Sequence, residues 1–531
     1  MKVKFLLITI IICVTQASLL NAQLPEIKTI EFPIEKPINY EQYAPFNTGQ
    51  LLVIKTLPRN KKAKTLELEH TIYNTSLEQL SKEYVTLPQH MLFKFSDTIN
   101  NTFFQLYAGR SDIYIVSINI DTKQVEVAKN ILPKQVYVED FAVLGNRAFI
   151  ITSKRRKTQL MLMDLKTSEL TPFVFPKEIN LPESFELTSL RKTKNDIAVI
   201  GGIYKGNPNL KQVINNRVIE LSKQGIIIKD YTINCEPDMI VSNLNFNTNN
   251  ESNLTTVNFS YIPDTKEVVS DIVFEKSVFN NCVKYAYDKG VMFNKKNKPT
   301  EFKAYTLNNF NDFEKTIAHS FFVVDFMPFK NRGLNTLHHQ LYSILPHDLY
   351  KLDDGLLFVG EVYWPVVSLS QTNSTVANGA AQTRSNLLGY CTEPIIVAKL
   401  DFEGNMIWSK TFSFSDSTKG LAARHLPKEI NNRVMVNINA NKSIAFTFAS
   451  KDKIISKTLS LDSLTFSEES FTKINIYSDE KKLRLSQLNI KNWTENEFLL
   501  FGMQSIKTRQ SVMQPFKIDP EDIKHFIGVY H

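Results

Sequence analysis

The feature that most restricts how this chain folds is a repeated unit of two alternating apolar runs joined by a polar turn. In the unit from Ile113 to Val127, apolar residues alternate with polar ones on both sides of Asp121. Alternation with a period of two predicts strands, and a short polar turn between two such strands predicts a hairpin. The turns of the units lie at Asn74, Asp121, Asp164, Ser222–Gly225, Asp264, Asp401, Asp462 and Asp519. The sequence therefore predicts an all-β protein.

A more apolar run precedes most of these hairpins, and continuous apolar runs of this length are typical of strands buried on both faces. The runs are Gln50–Thr56, Thr102–Ala108, Ala148–Ser153, Ile197–Tyr204, Leu356–Tyr363, Ile444–Ser450 and Phe498–Met503. Successive turns lie roughly 40 to 60 residues apart, except for the gap of 137 residues from Asp264 to Asp401. A spacing of about 40 to 50 residues is typical of four-stranded propeller blades. We expect a β-propeller of seven or eight blades with one long insertion. Tandem β-sandwiches are the alternative, but they need a linker that the sequence does not show convincingly.

Two segments interrupt the repeat. Residues 276–346 lie in the long gap between turns, and we interpret them as an insertion that masks one diverged blade. Residues 368–386 are rich in Ser, Thr, Asn, Ala and Gln, a composition typical of a mobile surface loop. We expect a single propeller domain over 23–531, with the insertion at 276–346 and the mobile loop at 368–386.

The N-terminus has the pattern of a secretory signal peptide. Lys2 and Lys4 precede a short apolar run, and the segment ends on Leu20-Asn21-Ala22, which predicts cleavage after Ala22 and a signal peptide over 1–22. No later stretch is long and apolar enough to predict a membrane helix, so we expect no transmembrane segment in the mature chain. Three cysteines remain after cleavage, and the sequence leaves open whether Cys235 and Cys282 form a bridge.

The charge balance and the search for reactive groups exclude several function classes. The formal net charge of +8 is small for 531 residues, so we expect no nucleic-acid partner. The chain has no nucleophile elbow and no phosphate-binding glycine loop. The histidines at 338, 339 and 347 lack the spacing of a zinc site, so we expect no metal and no cofactor.

The last third of the chain resembles a known group of proteins. Gly360–Pro365, the run Ile395–Trp408 and the segment Trp493–Gly502 are similar to patterns in uncharacterised secreted proteins of Bacteroidetes. This resemblance implies an exported protein with propeller-like architecture. It supplies no catalytic residues.

The candidate contact residues are basic or aromatic. Lys154, Arg155, Arg156 and Lys157 form a basic run between two predicted strands, and such a run suits electrostatic contact with an acidic partner or with lipid headgroups. A solvated hairpin tip is the simpler interpretation of the same run. Three aromatic residues of the insertion are candidate anchors for a protein partner: Phe321, Phe322 and Phe326.

Two functions follow from these residues. The first is a non-enzymatic periplasmic binding or scaffold protein that acts through protein–protein contacts, as an accessory subunit that covers or docks on an outer-membrane transport or secretion complex. The second is a secreted glycan-active enzyme or lectin with a site at the propeller mouth, for which Glu361, Tyr363 and Trp364 are the candidate residues because a carboxylate beside aromatic rings is typical of sugar sites. The chain ends within an apparent strand rather than a sorting domain, so we expect a periplasmic location, with an extracellular one as the alternative.

Overall fold

A computed structural model describes most of the predicted strands. It covers residues 28–33, 41–57, 62–155, 157–179, 185–192, 197–204, 216–233, 239–245, 254–261, 289–295, 302–313, 343–347, 349–372, 382–414, 433–439, 442–450, 453–473, 483–494, 498–506 and 523–530. The predicted signal peptide at 1–22 lies outside these ranges.

The described residues form eight antiparallel sheets, numbered here in chain order. Sheet 1 contains β2 (Glu41–Phe46), β3 (Gln50–Thr56), β4 (Thr65–Asn74) and β5 (Gln79–Pro88). Sheet 2 contains β6 (Leu92–Ile99), β7 (Thr102–Ala108), β8 (Asp112–Asn119) and β9 (Val125–Ile131). Sheet 3 contains β10 (Tyr137–Leu144), β11 (Arg147–Lys154), β12 (Lys157–Asp164) and β13 (Leu170–Pro172). Sheet 4 contains β14 (Phe185–Lys192), β15 (Ile197–Tyr204), β16 (Asn216–Ser222) and β17 (Ile227–Ile233).

The remaining sheets follow the same plan with two variations. Sheet 5 contains β18 (Met239–Asn245), β19 (Leu254–Tyr261), β20 (Lys289–Lys295) and β21 (Phe302–Thr306). Sheet 6 contains β22 (Ser343–Pro346), β23 (Tyr350–Leu352), β24 (Gly355–Thr372), β25 (Gln382–Leu400) and β26 (Met406–Phe412). Sheet 7 contains β27 (Val434–Asn439), β28 (Ser443–Ser450), β29 (Lys453–Ser460) and β30 (Ser470–Lys473). Sheet 8 joins β31 (Leu483–Asn492), β32 (Phe498–Ile506) and β33 (Ile523–Tyr530) to the N-terminal strand β1 (Lys28–Pro33). Short 3-10 helices occupy Lys177–Ile179 and Leu307–Asn309.

These consecutive four-stranded sheets give the chain an all-β propeller fold, as the sequence predicts. The chain divides into a terminal unit (residues 1–89 and 433–531), which holds sheets 1, 7 and 8, and a central unit (90–432), which holds sheets 2 to 6. In the central unit β10 contacts both β6 and β14, and β14 also contacts β18, so the first strands of successive sheets lie side by side. The predicted apolar runs coincide with the second strands of their sheets.

The second strands are mostly apolar because they are buried on both faces, and their exceptions include the buried polar side chains of Gln105 in β7 and Glu361 in β24. In β11, Ala148 and Ile150 pack into a core shared with sheet 2, whereas Phe149 and Ile151 pack into a core shared with sheet 4. Successive side chains of a strand point to opposite faces, so a sheet between two neighbours has no polar face. This arrangement explains why these strands lack the polar alternation of half-exposed ones.

Two aspartates connect the first strands of the central unit. Asp97 on β6 accepts a hydrogen bond from the backbone N–H of Val143 on β10 at 2.8 Å, and Lys192 on β14 reaches it at 2.5 Å. Asp140 on β10 is buried and accepts a hydrogen bond from the backbone N–H of Leu190 on β14 at 2.9 Å. The Arg191 guanidinium lies 3.3 Å from the same carboxylate oxygen. First strands have one edge that the ladder of their own sheet leaves unpaired, and these carboxylates satisfy N–H groups on that edge.

Asp164 and Asp401, two of the predicted turn residues, form Asx-type turns. Asp164 accepts hydrogen bonds from the backbone N–H groups of Lys166 and Thr167, and the Thr167 N–H in particular lowers the pKa of Asp164 below its ordinary value of 3.8. Asp401 holds the backbone of Glu403 and Asn405 in the same way. Short polar side chains stabilise tight turns by this contact, which is why the turn residues are visible in the sequence.

Sheet 8 of the terminal unit contains both ends of the described chain. β1 pairs with β33 along its whole length, and Trp493 with residues of β32 and β33 packs against sheet 1. The Trp493 indole N–H donates a hydrogen bond to the Gln50 carbonyl oxygen at 3.1 Å, and the Lys491 ammonium donates one to the Tyr43 carbonyl oxygen at 3.1 Å. Lys491 also lies over the Phe501 ring, 5.5 Å from its centroid. Burial lowers the pKa of Lys491 below its ordinary value of 10.5.

The structure changes the interpretation of both segments that interrupt the repeat. Within the predicted insertion at 276–346, β20 and β21 are regular strands of sheet 5 and β22 is the first strand of sheet 6. Within the predicted loop at 368–386, residues 368–372 pair with 382–386 as a hairpin, and 373–381 lie outside the described residues. The predicted turns at Asp264 and Asp519 also lie outside the described residues. The next strand after β19, which pairs with it in sheet 5, begins only at Lys289.

Replacement of Asp140 by alanine is expected to destabilise the central unit by about 3 to 5 kcal/mol. It leaves the buried N–H groups of Leu190 and Phe141, and the Arg191 guanidinium, without their acceptor. Urea unfolding measures the effect. Glu126→Ala removes an exposed carboxylate from β9 and is expected to change stability by less than about 0.5 kcal/mol. Equal stabilities of the two variants would contradict a bridging role for Asp140.

Lys491 is expected to make the stability of the protein depend on alkaline pH. Its pKa is lower in the folded chain than in the unfolded one, so the unfolded chain binds more protons just below pH 10.5. The difference between the free energies of unfolding of the native protein and of the Lys491→Met variant should therefore change in favour of the native protein as the pH rises to 10.5. Urea titrations of both proteins near neutrality and close to that pH measure the difference. A constant difference would show that burial does not perturb this amine.

Candidate functional site

The basic run at 154–157 forms the tip of the hairpin between β11 and β12. Lys154 pairs directly with Lys157, so two residues separate the paired strand ends, and Arg155 is the one of them that lies within the described residues. Arg155 has a φ of 49°, in the left-handed region that such turns require. Lys154, Arg155 and Lys157 are all exposed. The structure thus places these three predicted residues together at one strand end.

The base of this tip is fixed to the neighbouring sheet. The hydroxyl of Thr158 on β12 accepts a hydrogen bond from the backbone N–H of Leu187 on β14 at 2.6 Å. On the other side, the hydroxyl of Ser153 donates a hydrogen bond to Glu139 at 2.5 Å. The cations of the tip are therefore held in position rather than carried by an unsupported loop.

Two exposed apolar side chains lie at the same strand ends. Tyr137 begins β10 opposite Ser153, one position before the tip, and is 67% exposed. Leu92 begins β6 opposite Ala108 and is 50% exposed. β6 and β10 are neighbours. They run parallel, because Asp97 near the C-terminal end of β6 accepts a hydrogen bond from the N–H of Val143 near the C-terminal end of β10. Leu92 and Tyr137 are therefore equivalent residues of neighbouring sheets.

Arg110 adds a further cation beside Leu92. Arg110 lies in the turn between β7 and β8, and its side chain is exposed. The turn is closed by a hydrogen bond from the backbone N–H of Gly109 to the carbonyl oxygen of Asp112. His90 bonds the Asp112 carboxylate at 2.9 Å. We refer to the resulting surface as the cationic rim. It consists of Leu92, Arg110, Tyr137, Lys154, Arg155 and Lys157.

The cations of the rim have no carboxylate partner among the described residues. Of the acidic side chains at this end, Glu139 bonds Ser153 and Asp112 bonds His90. Both carboxylates keep their negative charge in these contacts, and Glu186 lies at the same end, at the start of β14. The four cations Arg110, Lys154, Arg155 and Lys157 outnumber these three acidic side chains, so the described strand ends carry a small excess of positive charge.

The structure places Glu361 inside sheet 6. β24 continues beyond Trp364 to Thr372, so Glu361 lies within a strand rather than at its end. Its carboxylate is buried and lies 2.9 Å from Nε2 of His347, which is also buried. The hydroxyl of Tyr350 lies 3.5 Å from Nδ1 of the same histidine. A carboxylate in this position orients the imidazole of His347 within the sheet. Tyr363, two residues after Glu361 on β24, is partly exposed.

β24 and β25 extend far beyond the rest of their sheet. From Trp364↔Cys391 to Thr372↔Gln382 they form nine further residue pairs, a ribbon about 30 Å long. Within the described part of the chain no other strand pairs with this ribbon. It begins where β22 ends its pairing at Tyr363.

Other predicted groups are placed as follows. Arg156, Phe321, Phe322 and Phe326 lie outside the described residues, as do His338 and His339. The described ranges contain no cluster of three or more His, Cys, Asp or Glu side chains arranged for a metal. They also contain no helix long and apolar enough to cross a membrane.

The sequence did not identify Leu92, Tyr137 or His347 as site residues. Leu92 stands next to Phe93 and Tyr137 next to Val138, and large apolar residues are usually buried, so the sequence alone does not separate them from core residues. His347 was considered only as a metal ligand, because its pairing with Glu361 depends on the register of β22 with β24.

No family model and no curated protein matches the chain. A solved structure described as the Dos1 propeller is 11% identical with a TM-score of 0.36, over 78% of this chain and 78% of that one. The polysaccharide lyase Uly1 is 7% identical with a TM-score of 0.37, over 82% and 89%. A structure from a study of two prolyl endopeptidases is 9% identical with a TM-score of 0.32 over 79% of this chain, which spans 55% of that protein's length. These likenesses concern the fold alone.

Glu361 and His347 are expected to be energetically coupled. Glu361→Ala and His347→Ala should each destabilise the protein, because each leaves a buried polar group without its partner. The double variant should be more stable than the sum of the two losses predicts, by about 1 to 3 kcal/mol. Urea unfolding of the four proteins gives this coupling. Additive losses would contradict the pairing.

Proposed function

We propose that the chain is a non-enzymatic binding protein of the periplasm that acts through protein–protein contacts. In this proposal it is an accessory subunit that covers or docks on an outer-membrane transport or secretion complex. We also propose that the eight sheets are the eight blades of one propeller, in which β1 completes the last blade by pairing with β33.

The observation that carries the proposal is the ribbon formed by β24 and β25. It places main-chain N–H and C=O groups of two strands beyond the sheet that supports them. An isolated two-stranded ribbon is only marginally stable in water. A partner that packs against the ribbon, or adds a strand to it, therefore stabilises it, and the main-chain hydrogen bonds that form contribute to the binding free energy. Long projections from a rigid scaffold are typical of binding surfaces.

The buried position of Glu361 supports binding rather than glycan chemistry. A glycosidase needs two carboxylates that face the bound sugar from opposite sides. The Glu361 carboxylate instead faces His347 inside sheet 6. The enzyme or lectin alternative therefore needs other residues than those that the sequence suggested.

Removal of the ribbon is expected to abolish partner binding without unfolding the protein. Val367 and Leu387 are register partners, so an Asn-Gly turn between them can replace 368–386. Circular dichroism should remain native, and recovery of a stoichiometric partner from cross-linked native membranes should fall at least about tenfold, as for loss of a central contact.

A second variant separates the strands from their connection. An Asn-Gly turn between the paired residues Thr372 and Gln382 removes only 373–381 and keeps the ribbon. We expect it to retain the partner. If both variants bind normally, and a carboxylate scan abolishes turnover of a polysaccharide, the protein is an enzyme and this proposal is wrong.

A further inference from the structure

We propose that the cationic rim binds the surface of an anionic lipid bilayer. This inference goes beyond the proposed function, because it assigns a second kind of partner to sheets 2 and 3, whereas the ribbon belongs to sheet 6. Its evidence is the charge, exposure and placement of the six rim residues.

The charge of the rim suits an anionic surface. Arg110, Lys154, Arg155 and Lys157 are exposed and form no salt bridge within the described ranges. They outnumber the nearby carboxylates of Asp112, Glu139 and Glu186, so this end of the sheets attracts an outside anion. Each basic residue close to an anionic membrane raises the binding constant about fivefold. Four of them at one end give a substantial affinity without any specific pocket.

The apolar residues of the rim suit the membrane interface. Tyr137 stands one position from the tip of sheet 3, and Leu92 occupies the equivalent place beside Arg110 in sheet 2. Each sheet therefore presents one apolar side chain next to its cations. Tyrosine and leucine among basic residues are typical of surfaces that lie in the headgroup region of a bilayer.

The composition favours a lipid surface over a protein one. The centre of a protein–protein interface is depleted of lysine, whereas polybasic segments with scattered apolar residues are typical of membrane contact. Arg155 adds to this argument. Its φ of 49° is a conformation in which glycine or asparagine is favoured, so a charged residue there costs stability and contributes charge at the outermost position of the tip.

Co-sedimentation of the purified protein with vesicles tests the proposal. Vesicles of phosphatidylglycerol and phosphatidylcholine in equal parts should bind the protein, and pure phosphatidylcholine vesicles should not. Binding should be lost at about 1 M salt, where the Debye length is only about 3 Å. Lys154→Glu with Lys157→Glu should weaken binding at least about 25-fold.

The chain offers a matched control for each part of the rim. Lys166→Glu with Lys223→Glu changes the net charge equally but at exposed turns between third and fourth strands, and should weaken binding less than about threefold. Tyr137→Ser should weaken binding about fivefold, whereas Ile226→Ser should not, although Ile226 is also 67% exposed. Arg155→Asn keeps the left-handed turn, so its loss of binding reports charge rather than misfolding.

The outcomes separate this inference from the proposed function. If vesicles are not bound, or if both pairs of charge reversals act equally, the rim is not a lipid-binding surface. If the tip reversal instead abolishes recovery of the protein partner and vesicles are ignored, the rim contacts an acidic protein and the lipid proposal is wrong. Loss of the partner on removal of the ribbon tests the proposed function independently, since that variant keeps the whole rim.

Discussion

Each four-stranded sheet of this protein has two apolar faces, and a single sheet cannot bury both. The residues of β11 show the consequence, since Ala148 and Ile150 need sheet 2 while Phe149 and Ile151 need sheet 4. Burial of one strand thus requires two neighbours, and the sheets are stable only as a series. Asp97 and Asp140 act within this constraint. Apolar faces attract one another without direction, whereas a carboxylate that accepts one particular N–H fixes the register between adjacent first strands.

The same constraint decides what the sequence reveals. The second strands were predicted closely because burial on both faces leaves little room for polar residues, as in β3, β7 and β15. Two strands of sheet 5 were missed because β20 begins and ends with lysine and β21 has only five residues, so neither gives a clear period. Residues 368–386 were predicted as a loop from their polar composition. The ladder of the ribbon forms through main-chain groups, which composition does not report.

Only part of the candidate site could be predicted from the sequence, because strand pairing brings the other residues to it. The four basic residues at 154–157 are contiguous, and a charged run between two strands predicts a hairpin tip, which the described residues of the tip confirm. Tyr137 joins that tip only through the pairing of β10 with β11, and Leu92 joins Arg110 only through the pairing of β6 with β7. Such surfaces are assembled by register from separate strands. Single-sequence patterns identify the strands but not the partners that register brings together.

The pairing of β1 with β33 has a consequence in time. Sheets 2 to 5 consist of strands that follow one another along the chain, so each can form as soon as its own residues are available. Sheet 8 instead joins residues about 500 positions apart, and closing so long a loop carries the largest entropic cost among the strand pairings of the described residues. Until β33 has been synthesised, β1 has no strand to pair with in sheet 8, and β32 has only β31 as a neighbour. A chain that emerges gradually from a ribosome or a translocon therefore carries an open strand edge for most of its synthesis, and during that interval chaperones or other chains can bind it.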